Sequence, residues 1–306
     1  MATEADKRRE LPEGILILDG ALGSELDRRG VDASFPLWSA NAMLHNPELL
    51  REIHRNYLIN GATAITTNTF RTHERICKIA GVDHLAEDMT RRACEMAIEA
   101  RDAINPKALV MGDVATLERC YAPELAPDYH TCKVEHRKLM QQLLDCGCDF
   151  LLLETMCAAH EAIAAAEVAQ ELAPGYWGIS FRLKEGGEIG ILQDGTPLDM
   201  IIDKLKDAAF IGINCMDGQV LGAQIKHLKS LVPDDMKIAA YGNIGRWELE
   251  KKAKKDDMKE NNEDSADVQY ARFAKEWIES GATIVGGCCG TSPDTIAILA
   301  ESIKNL

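Results

Sequence analysis

The sequence has no apolar stretch long enough to cross a membrane, and its first residues, MATEADKRREL, carry no apolar core of the kind a secretory signal has. A membrane-spanning or exported protein is therefore not expected, and a cytoplasmic location is. Positive charge is in deficit: 34 Lys and Arg against 49 Asp and Glu leave a net charge of −15. Such a surface gives no general electrostatic reason to bind nucleic acid or an anionic membrane. Strict alternation of apolar and polar residues is also missing, which argues against strands exposed on one face. No domain boundary is visible in the 306 residues, a length ample for one large core.

What is present is a rhythm. Eight short runs rich in Val, Ile and Leu recur: ILILDG (15–20), ATAITTNTF (62–70), ALVMGDVA (108–115), DFLLLET (149–155), YWGISFRL (176–183), AFIGINC (209–215), KIAAYGN (237–243) and ATIVGGCC (282–289). They read as parallel strands buried on both faces. Most are separated by segments of helical period. In PELLREIHRNYLINGA, Leu49, Leu50, Ile53, Tyr57 and Leu58 fall on one stripe, and Gly61, Gly147 and Gly281 stand where helices end. Eight strand–helix units imply a single-domain α/β protein, a (β/α)8 TIM barrel, with an open doubly wound sheet as the alternative. Polar or reactive residues close most of the runs: Asp19, Asn68, Asp113, Glu154, Cys215, Asn243, and Cys288 with Cys289. In a closed barrel these ends share one mouth, where barrel chemistry takes place. Outside the rhythm, residues 1–10 are expected to be a disordered tail. The barrel then fills 11–306, with a charged segment at 249–267 expected as a solvated insertion or a lid over the mouth.

Ten cysteines in a chain with no export signal are expected to be reduced. Cys77, Cys94, Cys120, Cys132, Cys146, Cys148 and Cys157 read as buried or incidental thiols. Cys215, Cys288 and Cys289 differ, because the strands that carry them line the same mouth. Three thiols suit zinc with its fourth position open, whereas a purely structural site would need a fourth ligand, and no further cysteine is well placed. Neighbours on a regular strand face opposite ways, so Gly286, Gly287 and Gly290 are expected to let the backbone leave the strand at the cysteine pair. Simple packing and a vicinal disulfide are the alternatives. Just downstream, Ser292 fits a helix N-cap and Pro293 the first helical position.

The set LDGALGSEL, TNTF, LLLET, GINC and GGCCGTSP, in this order and spacing, resembles the homocysteine S-methyltransferase family from about Ile15 to the C-terminus. The resemblance implies a zinc-dependent barrel enzyme that methylates the thiol of homocysteine to give methionine. It implies that Cys215, Cys288 and Cys289 bind Zn2+, and that Glu154 holds the homocysteine amino group. Asp19, with the Gly20–Ala21 turn, would line the same pocket. Folate-dependent members need further domains for which this chain has no room, so an onium donor is expected, with S-methylmethionine or S-adenosylmethionine favoured. A betaine-type or corrinoid-linked donor, or another thiol or selenol acceptor, is the alternative, and a metal- or thiol-binding protein without turnover is a third. PLWSA (36–40) looks like the corresponding stretch of S-methylmethionine users, which makes Trp38 the expected donor contact, with packing at the barrel rim as the alternative. Asn68 closes TNTF on the same side. Arg71 departs from the family pattern: a cation there would repel a cationic donor, and it could instead pair with a carboxylate, of the donor, of homocysteine or of a nearby Asp or Glu. The loop 116–130 offers Tyr121 and Tyr129 as further contacts.

Overall fold

Residues 8–244, 265–304 and 306 are described by a computed structural model. Eight parallel strands run in one sheet: β1 (Leu16–Ile17), β2 (Ala64–Thr66), β3 (Leu109–Val114), β4 (Phe150–Met156), β5 (Trp177–Phe181), β6 (Phe210–Asp217), β7 (Lys237–Asn243) and β8 (Ile284–Val285). Each pairs with its sequence neighbour from β2 to β8, and β8 pairs back on β1. The remaining gap is bridged by Leu18 and Ala64, with Asp19 N–H donating to Ala64 C=O at 3.0 Å. First and last strands side by side, with β1 tied to β2, make a barrel and exclude the open sheet.

Ten α-helices surround the strands among the described residues: α1 (Leu22–Arg28), α2 (Asn41–His45), α3 (Pro47–Ile59), α4 (Glu74–Ile79), α5 (Ala86–Ile104), α6 (Tyr129–Asp145), α7 (Ala159–Leu172), α8 (Gly218–Leu231), α9 (Ala266–Glu279) and α10 (Pro293–Ile303). The β5–β6 crossover differs: it is made of 3-10 turns at Leu198–Met200 and Ile202–Lys204 and of short antiparallel bridges. No helix among the described residues is long and apolar enough to cross a membrane.

Two apolar layers follow from the alternation of side chains along each strand. The barrel interior holds Leu16, Leu18, Met111, Phe150, Leu152 and Phe210. The larger layer lies between strands and helices, with Ile65, Val110, Leu153 and Ile211 facing Ile53, Ala97, Leu143 and Ile225. Phe210 fills its place because Gly178 has no side chain: a Cβ there would lie 2.2 Å from the ring. Residues 1–7 of the expected tail lie outside the described residues, but Arg9 reaches Ala108 C=O and Asp149 at 3.3 Å each, and Tyr176 donates to Glu10 at 2.6 Å. Of the charged segment at 249–267, residues 249–264 lie outside the described residues. Ser265 caps α9 by accepting the Val268 N–H, and the helix begins at Ala266.

Candidate active site and metal centre

Cys215, Cys288 and Cys289 converge, with their sulfurs all within 4.8 Å of one another. Each arrives by a break in regular structure. Cys215 lies where β6 shifts register against β7 between Asn214 and Asp217, and its φ of 56° is in the left-handed region. A bulge of this kind re-aims a side chain. The matching irregularity in β4 holds Thr155 at φ 58°, and Asn214 Nδ2 donates to Thr155 Oγ1 at 2.7 Å, so the two breaks are fastened together. Cys288 and Cys289 come after β8 has ended, as the glycines imply. Only Gly290 needs the freedom of positive φ, at 84°. Gly286 and Gly287 are there for space: a Cβ would lie 2.7 Å from Leu18 Cβ and 2.3 Å from Thr291 Oγ1.

The donor set fits a metal. A tetrahedral site with metal–sulfur bonds of about 2.3 Å has sulfur–sulfur edges of about 3.8 Å, and Cys215 and Cys289 are separated by 3.8 Å. Hydrogen bonds from the Cys288 and Cys289 thiols lower the Cys215 thiol well below its usual range, which favours the thiolate there. Tyr121 Oη lies 3.1 Å from the Cys215 sulfur. The loop is braced from outside: Cys289 N–H donates to Asn243 Oδ1 at 3.1 Å, and Tyr270 donates to Gly242 and Gly286 C=O at 2.8 Å each.

Three carboxyl groups share the mouth, and none has a basic partner within ion-pair distance among the described residues. Burial pushes Asp19 and Asp113 well above the usual carboxylate range, and the neighbouring Glu154 adds to it. Glu154 is pushed up to about 8, first by burial and then by the Cys215 thiolate. Asp19 accepts the Thr66 N–H at 3.0 Å, which ties β1 to β2. Asp113 Oδ1 and Asn68 Oδ1 are buried without partners, while Asn68 Nδ2 donates to Ser39 C=O at 3.0 Å. The Gly20–Ala21 turn is locked: Ala21 N–H donates to Thr291 Oγ1 at 3.1 Å, and its C=O accepts from Tyr57 at 2.9 Å.

Trp38 has φ 47° and meets the Phe70 ring edge-on at 5.4 Å. Its indole also fills the space over Gly23, where a Cβ would lie 2.5 Å away. Rim packing is thus part of its role. Arg71 is 2 % exposed and donates from Nη1 to Glu118 C=O at 2.9 Å. No carboxylate among the described residues pairs with it, so of the three carboxylate sources a nearby Asp or Glu is not used; the side chain lies over aromatic rings. Tyr129 is not at the thiol cluster; it is the first residue of α6, which Asp128 caps, and it bonds Glu167. Sequence reasoning left two features out. The bulge at Thr155 has no residue-type signal. Arg182, whose guanidinium lies 4.4 Å from the Tyr121 ring centre, stands at the end of β5, a run without any reactive residue to attract attention.

Known proteins resemble the chain over most of its length. The family model described as homocysteine S-methyltransferase matches residues 16–303. The homocysteine S-methyltransferase of Escherichia coli is 33 % identical over 305 residues, covering 94 % of each chain. A selenocysteine methyltransferase of Astragalus bisulcatus is 30 % identical, covering 92 % of this chain and 90 % of its own. Among solved structures, the metallated form of the E. coli homocysteine methyltransferase MmuM superposes with a TM-score of 0.79 at 28 % identity, covering 94 % of this chain and 96 % of that one.

Proposed function

The chain belongs to the homocysteine S-methyltransferase family, and from that premise we propose that it moves a methyl group from an onium donor, S-methylmethionine or S-adenosylmethionine, to the thiol of homocysteine, giving methionine. The observation that carries the reading is the convergence of three thiols within 4.8 Å of one another, with Cys215 and Cys289 at the edge length of a tetrahedral site, beside three carboxyls. Cys215, Cys288 and Cys289 would hold Zn2+. Bound there, the ion supplies a Lewis acid that keeps the homocysteine sulfur as a thiolate near neutral pH.

The remaining work belongs to the chain. Glu154 receives the homocysteine ammonium, and that positive charge opposes the burial and thiolate repulsion that otherwise keep the acid protonated. Asp19, Gly20 and Ala21 form the wall beside it, fixed by Thr66, Tyr57 and Thr291. Trp38, Asn68 and Arg71 face the donor. The homocysteine sulfur attacks the methyl carbon in line as the bond from that carbon to the onium atom breaks. The electron pair stays with the leaving sulfur, which departs as a neutral thioether, and the proton of the homocysteine thiol has already gone to solvent. Positioning supplies much of the rate in such a displacement.

The test is methionine formation from homocysteine and S-methylmethionine by zinc-loaded protein, with selenocysteine as a parallel acceptor. Methionine production establishes reaction and donor together. Preferred methylation of selenocysteine moves the acceptor to a selenol, and no product from either acceptor with any onium rejects the reading.

A further inference from the structure

Aromatic faces at a methyl-transfer mouth are natural partners for a cationic donor. Here three of them are taken by guanidiniums of the chain itself. Arg71 Cζ lies 5.3 Å from the Phe70 ring centre and 5.7 Å from that of Phe35. Arg119 lies 5.7 Å from the Phe35 ring centre, and Arg182 lies over Tyr121. The arginines also stand further along the strand direction than the acids. Asp113 and Glu154 are inside β3 and β4, whereas Arg71 and Arg119 lie in the loops that follow β2 and β3, and Arg182 directly follows β5. The mouth therefore has an inner layer of carboxyls and thiols beneath an outer layer of guanidiniums.

Arg119 is exposed to solvent, and Arg182, whose Nε is likewise unpartnered, pairs with Glu185 at 3.3 Å, which leaves Arg71 as the buried arginine of this layer without a carboxylate among the described residues. It is almost fully buried, yet its Nε has no partner and its one hydrogen bond among the described residues is to a backbone carbonyl. Arginines with a structural role in this protein look different. Arg101 is paired with Asp149 and Asp102, and Arg75 with Glu118 and Glu135. A buried fork of donors without its acceptor matches a carboxylate that arrives with a ligand. Homocysteine carries its carboxylate on the carbon that bears its amino group, which places that carboxylate in the inner layer beside Glu154. The outer layer is left for the donor. An onium group is repelled by Arg71, so a donor with both charges turns its carboxylate to Arg71 and its onium group to the sulfurs below.

Resting on the onium reading above, we infer that Arg71 binds the carboxylate of the methyl donor and thereby sets donor preference in favour of carboxylate-bearing onium compounds. The probes are S-methylmethionine and its carboxylate-free counterpart, (3-aminopropyl)dimethylsulfonium, with zinc-loaded wild type, Arg71→Met and Arg71→Lys. Wild type is expected to favour S-methylmethionine at least about tenfold in kcat/KM. Arg71→Met should raise KM for S-methylmethionine by about 10- to 100-fold and erase the preference, with KM for homocysteine unchanged. Arg71→Lys should restore part of it. Retention of the homocysteine-induced change in the visible spectrum of cobalt-substituted variants shows that the site is still folded. Equal losses with both donors, an unchanged preference in Arg71→Met and Arg71→Lys, or a rise in KM for homocysteine alone would overturn the inference while leaving the onium reading intact. Wild type that takes a methyl group from neither compound overturns both.

Discussion

Two buried aspartates at opposite ends of the barrel are treated in opposite ways. Asp149, just before β4 at the base, accepts from Val110 N–H at 2.8 Å and from Arg101 and Arg9 at 3.3 Å each. Asp113, within β3 and next to the mouth, has one oxygen with no partner and no cation bonded to it among the described residues. Both are 4 % exposed. Burial is the same and the company differs, so the base uses its carboxylate to hold the barrel together while the mouth keeps carboxyls under stress. A stressed acid is ready to interact with a positively charged ligand in a way a satisfied one is not. The division matches the general separation in these barrels between a base devoted to stability and a mouth devoted to chemistry.

The contrast can be broken or sharpened. Its largest expected effect lies at the thiols. Cys288→Ser should remove the metal and reduce methionine formation by more than the about 10- to 100-fold that an outer partner of a metal ligand is worth; full metal content with normal turnover would contradict the site. Next comes Glu154→Gln, which should raise KM for homocysteine by about 10- to 100-fold through loss of the charged partner. The same change should stabilise the metal-free protein. The folded Glu154 titrates at about 8, above its ordinary value, so keeping it ionised in the fold costs stability that grows as pH rises from the ordinary carboxylate range to about 8. Melting curves should show the gain at pH 9 and none at pH 4. Asp149→Ala should act in the reverse sense, lowering stability by about 3 kcal/mol at neutral pH by leaving the Val110 N–H unpaired and Arg101 with Asp102 alone, with KM for homocysteine unchanged. The smallest effect is Asp113→Asn, expected to raise stability by about 1 kcal/mol above the ordinary carboxylate range and not below it. Denaturant unfolding of the two aspartate variants should therefore move in opposite directions; movement in the same direction would end the comparison.

The barrel and its cluster of three thiols were legible because they are written in repeats and residue types. Eight apolar runs gave the strands, although β1 and β8 keep only two paired residues of the much longer runs around them. The cysteine pair after β8 was visible from its glycines, but the reason for two of those glycines was collision with Leu18 and Thr291, which no local sequence displays. The setting of Arg71 was not legible at all. Its stacking depends on Phe35, which lies in the loop before α2, distant in sequence and brought over the mouth by the fold. Tyr121 was one of two equal candidates until the chain placed one hydroxyl on Cys215 and the other on Glu167.

The left-handed backbone at Cys215 has a consequence for anyone who evolves this protein in the laboratory. At a φ of 56° a glycine rests more easily than any residue with a Cβ, by about 1 kcal/mol or more. A library screened for heat resistance alone, in medium that already supplies methionine, would be drawn towards Cys215→Gly and would return sturdier proteins that have lost a thiol of the cluster. Survivors worth keeping will come only from screens in which growth depends on the methionine the protein makes.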